Sequence, residues 1–148
     1  MNWLQKYRFG FDLWGLVLFL GIMVPNLIWF AFPPPEDILR TESVTGELDA
    51  VASVCQVLLA AALVCVTNRE RKEQISIWAA VACLGYYAAW AVYYLGITGP
   101  GVIMALSILP CAALLFFELE RKNYIALGPT AVFTVCHTVS GVMNFILK

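Results

Sequence analysis

Five long apolar runs separated by short polar stretches constrain this chain more than any motif in it. A helix rising 1.5 Å per residue needs about 20 apolar residues to cross a hydrocarbon layer about 30 Å thick. Backbone groups inside lipid must be satisfied within the segment itself, so runs of this length read as helices. With 61% hydrophobic and 13% charged residues among 148, an ordinary soluble domain is excluded. The expected fold is all-α, a polytopic membrane protein whose single domain, residues 1–148, is a five-transmembrane-helix bundle. Spans are predicted at about residues 12–32, 48–66, 75–95, 102–117 and 125–147.

Ahead of the first span, Trp3, Tyr7, Phe9 and Phe11 alternate with Lys6 and Arg8, a composition suited to the headgroup region. A signal peptide would have a shorter apolar core and a small-residue cleavage site. Here Trp29, Phe30, Phe32 and three prolines follow, so the segment reads as a retained helix. Pro25 lacks an N–H and frees the carbonyl of Gly21, which predicts a kink or a polar contact at that turn.

The prolines end the first span and open an acidic loop, residues 33–47, in which Glu36, Asp37, Glu42 and Glu47 face a single Arg40. No calcium-loop spacing is present, so these carboxylates are expected to be solvated, with one interfacial turn from Asp37 to Arg40. Ser43 or Thr45 can cap the second helix, and Glu47 and Asp49 suit its first turn. The third run is aromatic in its second half. Tyr93 and Tyr94 fit an interfacial belt, whereas at least one of Tyr86, Tyr87 and Trp90 should point into the bundle, because an unpaired hydroxyl or indole N–H in lipid is costly. The fourth run is short and carries Pro110 near its middle, which predicts a kink.

Lysines and arginines divide unequally between the two sides that five spans define. One side receives Lys6, Arg8, Arg69, Arg71, Lys72, Arg121 and Lys122, the other only Arg40 and Lys148. The positive-inside rule then predicts a cytoplasmic N-terminus, an external C-terminus and an external acidic loop, in the plasma or inner membrane.

Polar residues inside the spans are the candidates for function. In the last span Thr130, Thr134, His137, Ser140 or Gly141, and Asn144 share one side of a helix around the only histidine of the chain. In the second, Asp49, Ser53 and Gln56 share another. Counted from span midpoints at about 1.5 Å per residue, His137 and Gln56 lie within about 2 Å of the midplane. Asn26, Ser53, Trp90 and Ser140 lie about 6 to 8 Å toward the outside by the same count. Asp49 and Asn144 are higher still. The expectation is an outward-opening cavity with His137 and Gln56 at its floor, and with Asp49, Ser53, Asn26, Asn144, Trp90 and Tyr87 completing a ligand-binding set. The alternative is that Ser, Asn, Gln and His simply hydrogen-bond one helix to another.

Other chemistries find little support. Cys55, Cys65, Cys83, Cys111 and Cys136 form no C-x-x-C pair, and Cys136 and His137 diverge by about 100° on a helix, so neither a metal site nor a cofactor is predicted. The motifs H-E-x-x-H, G-x-S-x-G and G-x-x-x-x-G-K-[ST] are absent, and no basic patch suits nucleic acid. In helix count and aromatic content the chain resembles the translocator-protein type of cholesterol and porphyrin binder, a likeness that assigns no residue.

Three functions follow as expectations. The first is binding or transport of a small amphipathic ligand in the cavity. The second is an accessory or assembly protein, associating with a further copy or another membrane protein. The third is an intramembrane enzyme using His137 with a carboxylate.

Overall fold

Asp12 starts the first helix because its side chain accepts hydrogen bonds from the otherwise unpaired N–H groups of Trp14 and Gly15, at 3.1 and 3.2 Å. In the computed structural model, which describes residues 3–74 and 76–147, this helix, α1, runs Leu13–Ala31. The others are α2, Gly46–Cys65; α3, Ile77–Tyr94; α4, Pro100–Glu120; and α5, Tyr124–Phe145. All five are long and apolar enough to cross a membrane. The expected start of the third span at residue 75, and Lys148, lie outside the described residues.

The fourth helix departs most from expectation. It is 21 residues long and passes Pro110 without ending, so the expected short span of residues 102–117 is extended at both ends. Two local features extend it. Pro100 occupies the first turn, where its missing N–H costs nothing, and the charged sequence after Phe117 continues as helix because Glu118 is buried against α5.

Between α3 and α4 the chain turns at Gly96, whose φ of +84° is readily adopted only by a residue without Cβ. Its N–H donates to the carbonyl of Tyr93 at 3.0 Å, closing the end of α3.

The helices are ordered α2, α5, α4, α3 by their main contacts, and α1 lies more sparsely against α2, α3 and α4. At one end of the bundle the N-terminal segment does not merely rest on the surface. Strand β1, Tyr7–Phe9, pairs antiparallel with β2, Val66–Asn68, in the register Tyr7 to Asn68. This ribbon ties the start of α1 to the end of α2, and Gly15 permits a close approach there: a Cβ would stand 2.7 Å from the carbonyl oxygen of Leu63. The opposite end, here the loop end, carries residues 32–45 and the α3–α4 turn.

The loop-end carboxylates are not all solvated as expected. The Asp37 side chain is 8% exposed and pairs with Arg40 at 3.2 Å, which supplies the predicted turn. It also accepts hydrogen bonds from Tyr93 Oη at 2.6 Å and Trp29 Nε1 at 3.0 Å. Tyr93 is correspondingly buried in the bundle and does not join an interfacial belt, since its hydroxyl also accepts the N–H of Ile38 at 3.0 Å.

Candidate functional site

Because α1 packs sparsely, the space between it and α2, α4 and α5 is only partly filled by side chains. A cavity of about 510 Å³ remains, a size typical of small-molecule sites. Its rim includes the exposed loop residues Thr41 and Ser43, and its deep end is closed by Phe19, Leu59, Leu114 and Phe133.

Seven of the eight expected residues line this space: Asn26, Asp49, Ser53, Gln56, Trp90, His137 and Asn144. Each is placed by a local device. Asp49, in the first turn of α2, accepts from the hydroxyl of Ser43 in a short hydrogen bond and from that of Thr45 at 3.4 Å. Ser53, one turn further, donates back to the carbonyl of Asp49 at 2.8 Å. Thr45 precedes α2 but makes no side-chain cap. Its hydroxyl faces α5 instead, 3.0 Å from Ser140 Oγ, and accepts from Asn144 Nδ2 at 2.7 Å. Asn144 Oδ1 in turn accepts the N–H of Val44 at 2.7 Å. Thus Asn144 pins the loop to the last helix, with every polar atom of its amide engaged.

Deeper polar groups are less committed. Among the described residues Gln56 donates only a weak hydrogen bond, to Met23 Sδ at 3.5 Å on α1. His137 makes no hydrogen bond among the described residues; its ring stacks on Phe133 with centroids 5.1 Å apart and planes 11° from parallel. Neither a hydrogen bond nor an ion pair joins His137 to Asp49, although both line the same cavity. The apolar closure lies about one helical turn below His137 and Gln56, so these two form a ledge in the wall instead of its floor.

The third helix contributes differently from expectation. Tyr87 does not line the cavity: its side chain faces outward and donates to the carbonyl of Gly21 at 2.6 Å, the group that Pro25 leaves free. Tyr86, about 100° around the helix, takes the inward position and accepts from Asn26 Nδ2 at 2.9 Å. Trp90 packs edge-on against both Tyr86 and Tyr93, at 6.3 and 5.6 Å. Its indole N–H has no partner among the described residues.

A second polar cluster, at the ribbon end, was not anticipated. Asp12 pairs with Arg71 at 3.2 Å and lies 3.9 Å from Arg121, which is itself only 3% exposed. Glu118, fully buried on α4, accepts from Thr130 Oγ1 at 2.6 Å. The Ser/Thr/Asp/Asn signal for a helix start was present at Asp12 and Asn123, and a glutamate adjoining an apolar run was present at 118. Periodicity alone gave no reason to bury the glutamate.

Among the described residues no group of three His, Cys, Asp or Glu side chains is arranged to hold a metal ion. Comparison with family models, curated proteins and solved structures finds no match to this chain.

Proposed function

We propose that this chain is a small multi-pass protein of the plasma or inner membrane that binds or carries a small amphipathic ligand in the loop-end cavity. The N-terminus is assigned to the cytoplasm and the loop end to the outside, on the seven-to-two division of basic residues. The observation that carries the functional reading is the convergence of Asp49, Gln56 and His137, from two helices, on one space of about 510 Å³. A structural polar group buried between helices usually has its partners; His137 has none among the described residues, which leaves its ring nitrogens for a ligand or water.

Solvent access tests both parts of the reading. In a variant freed of its native cysteines, Ser53→Cys is expected to react in intact cells with a membrane-impermeant maleimide, and an amphipathic ligand should slow the reaction. Labelling only after the membrane is permeabilised would reverse the orientation, and no labelling under either condition would exclude an open cavity.

A second reading, an accessory protein whose polar residues only join helices, is favoured by Asn144 and Asn26, whose amides are engaged across helices or to the loop. It predicts that His137→Gln leaves ligand binding unchanged.

A further inference from the structure

Charge is distributed unevenly around the cavity. Asp49 is the one acidic side chain among its lining residues, and neither lysine nor arginine is among them. Its known partners are neutral: the hydroxyls of Ser43 and Thr45 orient the carboxylate without matching its charge, and no ion pair reaches it among the described residues. Arg40, the basic residue near the mouth, is already committed. Its guanidinium lies 5.2 Å from the ring centre of Trp29, pairs with Asp37 at 3.2 Å and donates to the carbonyl of Phe30 at 2.7 Å. The walls of the chamber are aromatic, with Trp29, Tyr86, Trp90 and Phe133 all lining the same space.

A carboxylate lacking a cation at the rim of an aromatic chamber suits one class of ligand. From this arrangement we propose that the ligand is an organic cation, a quaternary or protonated amine or a comparable onium carried on an apolar body. The proposal rests on the reading of the cavity as a binding site. The cationic centre lies toward Asp49, where Coulomb attraction acts in a partly desolvated place, and the apolar body fills the aromatic chamber. An anion would meet an uncompensated negative charge and neither lysine nor arginine. A hard inorganic cation fits poorly, because it requires about six oxygen ligands, whereas most of the wall is apolar.

Size-matched probes of opposite charge separate this proposal from the reading beneath it. Purified protein is titrated calorimetrically with tetraphenylphosphonium, tetraphenylborate and neutral triphenylphosphine oxide, against matching empty micelles. The phosphonium is expected to bind saturably and about tenfold or more tightly than the borate, and Asp49→Asn should weaken it about tenfold while sparing the neutral probe. Equal binding of phosphonium and borate, or an Asp49→Asn variant with unchanged phosphonium affinity, overturns the cation assignment and leaves the cavity as a binding site. Binding of none of the three overturns both. Should Asp49→Asn lose every probe through misfolding, the phosphonium-to-borate ratio of the unmodified protein decides the matter alone.

Discussion

At the ribbon end Asp12 pairs with Arg71 and lies 3.9 Å from Arg121, with Glu73 as a second carboxylate on Arg71, whereas at the loop end Asp49 faces a cavity with hydroxyls as its partners. Both ends place charge beside apolar helices, and the difference lies in what surrounds it. The ribbon brings the chain back over its cluster: Gly10 donates to Cys65 at 3.0 Å, Asp12 to Val64 at 2.8 Å and Arg69 to Lys6 at 2.8 Å, all between backbone groups. Loop-end connections are made by single side chains, chiefly Asn144 and Tyr93, and leave space between α1 and its neighbours. One end therefore has the character of a structural clamp, the other of an open chamber.

If that contrast holds, the largest loss of stability should come from the ribbon end. Asp12→Ala removes a helix cap and the carboxylate nearest Arg121, and leaves Arg71 only its contact with the exposed Glu73. A cap is worth about 1 kcal/mol, and breaking a buried ion pair costs about 3 to 5 kcal/mol. The expected outcome is a loss of about 3 kcal/mol or more in reversible unfolding from mixed micelles. A loss under about 1 kcal/mol would show that the cluster is wet and merely adjacent.

At the loop end, Asn144→Ala deletes three hydrogen bonds, two of them to the loop at Val44 and Thr45. About 2 kcal/mol is expected, since the two bonds to the loop contribute about 1 kcal/mol each, net. Hydrogen exchange should report where the loss falls: the Val44 amide should exchange faster, and the ribbon amides should not. Equal acceleration at both ends would contradict their independence.

Lys122 offers a test of opposite sign. It has φ of +53° in the α4–α5 turn, a conformation that costs a residue with Cβ about 1 kcal/mol. The strain persists because its carbonyl accepts hydrogen bonds from Tyr7 Oη at 3.1 Å and Asn68 Nδ2 at 2.9 Å. Lys122→Gly keeps those bonds and relieves the strain, at the cost of an exposed contact with Glu70 at 3.7 Å worth little. A rise of up to about 1 kcal/mol in unfolding stability is expected. A fall would mean that the lysine charge matters more to the clamp than its backbone.

The apolar runs made the five helices legible, and charge made the loops between them legible, because both are properties of composition over many residues. Depth was legible too: counting residues put Gln56 and His137 at one level and Asn26 about 6 to 8 Å further out, and all three line one cavity. Rotation about a helix axis was not. Tyr86 and Tyr87 sit at almost the same depth in an apolar run, and only packing against α1 decides which one meets Asn26 and which meets Gly21. The ribbon escaped detection because strands of three residues show no period, and its partners are far apart in sequence. Burial of Asp37 and Glu118 was hidden for a related reason. A carboxylate near a span end reads as solvated until its partners, Tyr93 and Thr130, are placed.

The smallest predicted effect probes the boundary between the two ends, where α1 is held to α3 by the Tyr87 hydroxyl. The hydrogen bond to Gly21 is short, 2.6 Å, yet Tyr87 lies at the surface of the bundle and is 42% exposed. If it were the main restraint on α1, Tyr87→Phe would free the helix, enlarge the cavity and cost well over 1 kcal/mol. The ribbon and the Asp12 cluster already hold one end of α1, and Asn26 makes a second bridge to α3 through Tyr86. The expected cost is therefore that of an ordinary interhelical hydrogen bond in a membrane, about 0.6 kcal/mol, with probe affinity in the cavity little changed. A larger loss accompanied by weaker probe binding would make the free carbonyl below Pro25 a hinge for α1, and the cavity a space whose volume that helix controls.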